Sequence, residues 1–248
     1  MTTSKQKTDS ELPATKVARV LRVVHVTAPF HPAAKATGVQ VGAGTKKNTK
    51  AKLKLNILIA GVGGQGTILA SRVLSRAAVI EGHRVLIGEL FGSAQRGGPV
   101  TSHVRIGKGI YSSLIPARAA DVLLGFEPVE TLRRATYVKP DGVVIFNTKT
   151  LPPQEVKIGK KEYPSLEATK KLLSKIASKV ETLDASGIAM KTGSIRSTNM
   201  VMLGVLAASG IVPFRKESFM KAIEQSVPKK TLESNFAAFE NGFNAKLE

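Results

Sequence analysis

The segment 55–66 most constrains this chain. Leu55–Ala60 is a short apolar run rich in Ile and Leu, and Gly61-Val62-Gly63-Gly64-Gln65-Gly66 follows directly. Such a run suits a parallel strand buried on both faces. From Thr67 to Ile80, Ile68, Leu69, Val73, Leu74, Ala77 and Ala78 recur at helical spacing, and Glu81-Gly82 closes the helix. His83–Leu90 reads as a second strand. The unit is strand, glycine loop, helix, strand.

Gly61, Gly63 and Gly66 match G-x-G-x-x-G in that context. The first glycine permits a tight turn, and the second lets the backbone approach a phosphate. The third lets helix and strand pack closely, and the helix N-terminus beyond favours an anion. A bare tight βα turn without ligand is the competing reading. A dinucleotide site also wants an acid about 20 residues on. Glu89 lies near that place. His103 and Asp121 are acid or base types without an identifiable partner, and a structural role is expected for each.

Further strands are expected at Pro99–Ile106, Ala120–Phe126, Gly142–Asn147 and Val180–Asp184. Helices are expected at Pro128–Thr136, Ser165–Ser178, Thr198–Ser209, Lys216–Ser226 and Lys230–Asn241. This alternation predicts an α/β fold: a Rossmann-like open, mostly parallel sheet flanked by helices. Residues 55–248 form a single domain in this reading.

Residues 1–54 differ. They carry 11 Lys/Arg against 2 Asp/Glu, so about half of the net charge of +19 sits there. Lys35–Lys54 has few large apolar residues, and a disordered basic extension is expected. Ala18–Thr27 could make one short strand or an amphipathic turn. A basic chain suits nucleic acid or an acidic partner, but aromatic residues for base stacking are sparse. The longest apolar stretch, Met200 to Val212, is 13 residues and falls short of the roughly 18 of a membrane span. A soluble, cytoplasmic protein is expected. There is no cysteine, which excludes disulfides and cysteine-ligated zinc or iron–sulfur centres on this chain.

The second strand leads into Glu89-Leu90-Phe91-Gly92-Ser93-Ala94-Gln95-Arg96-Gly97-Gly98-Pro99. A loop this rich in glycine, at the carboxyl end of a strand, stands where α/β sheets bind ligands. Arg96 could hold a phosphate or carboxylate by two parallel hydrogen bonds.

Here the sequence resembles a family. The segments IAGVGGQGTILASRVLSRAA, GELFGSAQRGGPVTSHVRIG and YSSLIPARAADVLLGFEPVETLR carry the resemblance. It continues through FNTKTLPP, STNMVMLGVLAASG and VPKKTLESNFAAFENG, over roughly residues 55–243. Together they resemble the small, beta subunit of indolepyruvate:ferredoxin oxidoreductases, the gamma domain of 2-oxoacid:ferredoxin oxidoreductases. A typical member is expected to carry histidine and methionine where this chain has Phe91 and Ser93.

The resemblance implies a multisubunit enzyme. It converts an aryl 2-oxoacid and coenzyme A to an acyl-CoA and carbon dioxide while reducing ferredoxin. Thiamine diphosphate, magnesium and iron–sulfur clusters would sit on a large alpha subunit. This chain has neither cysteines nor the G-D-G and Asn-Asn thiamine signature. No cofactor is expected on this chain alone, no catalytic residue is assigned, and contact with coenzyme A is the open role. Gly61, Gly63, Gly64, Gln65, Gly66 and Thr67 would cradle its diphosphate, faced by Gln95, Arg96, Gly97 and Gly98. A subunit-contact role for both loops competes with that reading. Two other functions stay open: a stand-alone NAD(P)-dependent oxidoreductase, carried by the glycine fingerprint and Glu89, and a basic nucleic-acid-binding module, carried by charge alone. No membrane partner is expected.

Overall fold

The computed structural model describes residues 20–26, 53–92, 97–152, 156, 158–159 and 162–248, the first of these stretches as backbone. Seven strands build one sheet: β1 (Val20–Val26), β2 (Lys54–Val62), β3 (Val85–Phe91), β4 (Pro99–Gly107), β5 (Ala120–Gly125), β6 (Val138–Asn147) and β7 (Lys179–Leu183). Their spatial order is β1-β3-β4-β2-β5-β6-β7. β2, β5, β6 and β7 pair in parallel. β4 runs antiparallel between β2 and β3, so β3 points the same way as the parallel set. The sheet is therefore mixed, with five strands sharing one direction, as the alternation of elements predicts.

Val20–Val26, inside the stretch Ala18–Thr27 where a short strand or an amphipathic turn is expected, is a strand that pairs antiparallel with β3 from Val20↔Phe91 to Val26↔Val85. Five of these seven residues are Val or Leu, types that suit a pleated surface. The rest of 1–52 lies outside the described residues.

Helices cover both faces. They are α1 (Thr67–Ile80), α2 (Pro128–Arg133), α3 (Leu166–Leu173), α4 (Ala185–Lys191), α5 (Thr198–Ala208), α6 (Lys216–Glu224) and α7 (Leu232–Phe243). Side chains alternate along β2. Leu55, Ile57 and Ile59 join α1, α5, α6 and α7 in the larger core. Leu58 and Ala60 join Leu123, Val144, Phe146 and Leu173 in the smaller core on the opposite face. Both faces are dry, which is why β2 reads as an unbroken apolar run. α5 is buried from Thr198 to Ala207. The longest apolar stretch of the sequence is thus a core helix. It crosses α7 closely, because a Cβ on Gly204 would lie 2.1 Å from the Phe239 carbonyl oxygen. No helix of the described residues is long and apolar enough to cross a membrane.

Over β3 and β4 the smaller-core face is covered by an irregular segment rather than a helix. Arg105 Nη1 donates to the carbonyls of Ser112 at 2.9 Å and Leu114 at 3.0 Å, holding Ile110–Ile115 down. At the other edge, Glu248 and Thr182 exchange two backbone hydrogen bonds of 3.0 Å, so the chain end pairs with β7. A covered edge is less available for pairing with another chain.

Candidate functional site

β2 leads to β3 through α1 on one face, while β5 leads to β6 through α2 on the other. The connections diverge between β2 and β5, and open α/β sheets bind ligands outside the strand carboxyl ends at such a point. The glycine loop and Phe126-Glu127 stand there.

The loop is locked from three sides. Gly63 N–H donates to the Gly98 carbonyl at 2.8 Å, and Gly97 N–H donates to the Gly63 carbonyl at 3.2 Å. These bonds extend the β2–β4 ladder past its last pair, Val62↔Pro99. Within the loop, Gln65 Oε1 accepts from Val62 N–H at 2.7 Å, and Gln65 Nε2 donates to the Phe126 carbonyl at 2.9 Å. From behind, Asn199 at the start of α5 lies against Gly66 and donates Nδ2 to its carbonyl at 3.4 Å.

The structure thus brings Gly61, Gly63, Gly64, Gln65, Gly66, Thr67, Gly97 and Gly98 together. Gln95 and Arg96 lie outside the described residues. The roles within the loop differ from the fingerprint. Gly61 is still in β2, where a Cβ would meet Thr67, Gln65 and Phe126 at 2.8–2.9 Å. Positive φ falls on Gly64 (107°) and Gly66 (79°), while Gly63 is not left-handed. Gln65 turns its amide inward and spends both ends on the fold.

What faces outward is backbone. α1 has Gly66 as its N-cap, no side-chain cap and no acid in its first turn. Its first amides therefore lack the usual side-chain partner, and the positive end of the helix dipole is uncompensated. They open on a cavity of about 420 Å³ lined by Gly63, Gly64, Gly66, Thr67, Ile68, Phe91 and Val100. This arrangement can take an anion on its backbone side and an apolar group against Phe91 and Val100.

Glu89 does not complete a dinucleotide site. It is 1% exposed in β3, and β4 separates it from β2. At about 4.8 Å per strand the two backbones stand about 10 Å apart. Asp121 is structural, as expected. It accepts from Asn56 N–H at 2.6 Å and pairs with Lys139 at 2.7 Å, at the start of β5.

Sequence reasoning missed the support behind the loop. The Phe126 carbonyl also accepts from Asn147 Nδ2 at 3.1 Å. Glu127 is buried; it caps α2 through Glu130 N–H at 2.9 Å and accepts from Leu151 N–H and the Tyr163 hydroxyl. Burial, then the bond to Glu127, push the Tyr163 hydroxyl up from its ordinary value, so it stays protonated. A Glu immediately before a Pro at the first helical position was the available signal.

Residues 56–245 match the pyruvate ferredoxin/flavodoxin oxidoreductase family. The indolepyruvate oxidoreductase subunit IorB of Thermococcus kodakarensis is 41% identical over 194 residues, 78% of this chain and 96% of that protein. The common gamma subunit of pyruvate/ketoisovalerate oxidoreductases from the same organism is 32% identical over 193 residues, 77% of this chain and 96% of that protein. A crystal structure of the keto/oxoacid ferredoxin oxidoreductase gamma subunit from Geobacter sulfurreducens shares the fold, with a TM-score of 0.57 and 24% identity over 76% of this chain and 96% of that one. With its glycine loop, its facing Gly97-Gly98 turn and its sheet order accounted for, this chain belongs to the pyruvate ferredoxin/flavodoxin oxidoreductase family.

Proposed function

We propose that this chain is the small subunit of a cytoplasmic oxidoreductase. The complex would convert an aryl 2-oxoacid of the indolepyruvate type and coenzyme A to an aryl-acetyl-CoA and carbon dioxide, passing the electrons to ferredoxin. The observation that carries this reading is the gradient of identity within one organism. The indolepyruvate subunit stands at 41% and the pyruvate/ketoisovalerate subunit at 32%, over nearly the same length.

Thiamine diphosphate, magnesium and iron–sulfur clusters do not fit the residues present. There is no cysteine in the chain, and no group of three His, Asp or Glu among the described residues could hold a metal ion. We assign these groups to a large partner subunit and route no step through this chain.

Coenzyme A does fit. Its diphosphate would lie on the uncapped amides of α1 and against Gly64, with Thr67 beside it and Gly97-Gly98 bonded to Gly63 alongside. Phe91 and Val100 would take apolar parts of the ligand. Gly61 and Gln65 hold the cradle in shape rather than touch the ligand, whereas Gly63, fixed by its bonds to Gly97 and Gly98, also lines the cavity. Gln95 and Arg96 belong to this proposal by sequence position.

The test is co-purification with the large subunit and turnover of indolepyruvate, phenylpyruvate and pyruvate, each with coenzyme A and ferredoxin. The aryl substrates should lead in kcat/KM. A complex that prefers pyruvate would overturn the substrate assignment.

A further inference from the structure

A second cavity lies on the opposite face of the sheet from the glycine-loop cavity. It measures about 140 Å³ and is lined by Leu90, Phe91, Gly92, Pro99, His103, Arg134 and Tyr137. That is room for about four or five waters at roughly 30 Å³ each. A structural role is expected of His103 from its sequence context.

His103 is 1% exposed in β4. Its Nδ1 accepts from Ile115 N–H at 3.1 Å, so Nδ1 carries no proton. The neutral ring then bears its proton on Nε2, and Nε2 is buried with no hydrogen-bond partner among the described residues. The ring is held neutral: burial first, then Arg134 and Arg105, push its pKa down to about 4. Buried donors without acceptors are rare in folded proteins and call for an explanation.

Arg134 is oriented for a ligand. Its Nε donates to Thr101 Oγ1 at 2.8 Å, two residues along β4 from His103. Its terminal amino groups make no hydrogen bond or ion pair among the described residues. Glu130, which acts on Arg134 electrostatically, is held by Arg133 at 2.6 Å. The Tyr137 ring packs edge-on against His103, with centroids 5.5 Å apart. No acid among the described residues lines the cavity, while Leu90, Phe91 and Pro99 give it an apolar wall.

We propose that this cavity binds a small organic carboxylate, with His103 Nε2–H and the Arg134 amino groups as donors to its oxygens and Leu90, Phe91 and Pro99 against its body. The donor set matches a planar oxyanion, since guanidinium offers parallel N–H groups to a carboxylate. The apolar wall favours a carboxylate with a carbon body over a bare inorganic anion. The site is separate from the glycine loop, and the two cavities share Phe91 as a wall residue.

The test uses the full chain labelled with 15N. Imidazole resonances, with His103 identified by a His103→Gln sample, are followed during titration with phenylacetate, phenylacetamide and inorganic phosphate. Phenylacetate should shift the His103 Nε2 resonance saturably, and the neutral amide should not. Arg134→Gln should weaken the phenylacetate response about 10- to 100-fold, the range set by one charged hydrogen bond, and Arg134→Lys should weaken it less. The fold of each variant is checked by its amide spectrum. Phosphate binding in place of phenylacetate would overturn the carboxylate assignment. A His103 resonance that ignores phenylacetate, or a response unchanged in a folded Arg134→Gln chain, would overturn the site. Activity of the complex is not needed, so this result stands apart from the proposed function.

Discussion

Gln65 and Phe126 tie the glycine loop to the end of β5: Gln65 Nε2 donates to the Phe126 carbonyl at 2.9 Å while its Oε1 holds Val62 N–H at 2.7 Å. One side chain thus joins two parallel strands at the point where their connections diverge. Gln65→Ala should cost about 1–3 kcal/mol, because Val62 N–H loses its acceptor in a partly buried place. Thermal melting of the isolated chain reads that loss. Coenzyme A saturation of the complex should weaken as well, although the side chain faces away from the cavity. An unaltered melting curve would show that the loop holds its shape without this brace.

Gly64 and Gly66 both have positive φ, but only Gly66 is crowded. A Cβ on Gly66 would stand 2.6 Å from Asn199 Nδ2, whereas one on Gly64 meets nothing within 4 Å. Gly64→Ala should therefore cost only the backbone strain of about 1–2 kcal/mol. Gly66→Ala should cost more, and adding Asn199→Ala should return part of the difference. Urea unfolding of the two single variants, Asn199→Ala and the double variant forms the cycle. Strict additivity of Gly66→Ala and Asn199→Ala would show that Asn199 yields freely.

His103 makes folding sensitive to acid. In the folded chain its pKa is about 4, against an ordinary 6.5 that the unfolded chain regains. Between those values the unfolded state binds more protons, so stability rises with pH. The contribution is fully present above the unfolded value and is lost as pH falls toward the folded one. It amounts to at most about 3 kcal/mol. Urea unfolding between pH 7 and 4 should show a shallower decline for His103→Gln than for the native chain. Parallel declines would mean that His103 titrates normally in the fold.

The family match spans residues 56–245 and does not include the stretch before residue 56. We expect a chain starting at residue 54 to fold and to assemble with its partner. Its β3 would become the sheet edge, and the β3 amides that face β1 should exchange faster with solvent. Melting should fall by no more than about 4 °C, roughly the effect of 1 kcal/mol in a domain of this size. A larger fall would make β1 part of the domain.

The strands and the glycine loop were legible because their signal is local: an apolar run, then glycines, then a helical period. The antiparallel place of β4 was not, since Pro99–Gly107 reads the same in either direction. That insertion is what moves Glu89 away from the glycine loop. α4 escaped notice because Ala185–Lys191 is short and holds Ser186 and Gly187; Asp184 caps it through Gly187 N–H at 2.8 Å. In the site, the spacing of glycines located the loop but not its division of labour. The loop is braced by Gly97, Gly98 and Asn199, residues 34 to 133 positions away from their partners in it. Arg134 and Tyr137 are neighbours in one short turn, where Tyr137 N–H donates to the Arg134 carbonyl at 3.0 Å, but His103 meets them only through tertiary packing.

The most direct measurement mixes separately purified subunits and follows coenzyme A-dependent ferredoxin reduction with indolepyruvate, together with the visible spectrum of each subunit beforehand. This chain should be colourless and inactive, the large subunit should carry the absorbance, and turnover should appear on mixing. Turnover or iron–sulfur absorbance from this chain alone, or a large subunit whose activity is indifferent to its addition, would contradict its role as the cofactor-free small subunit.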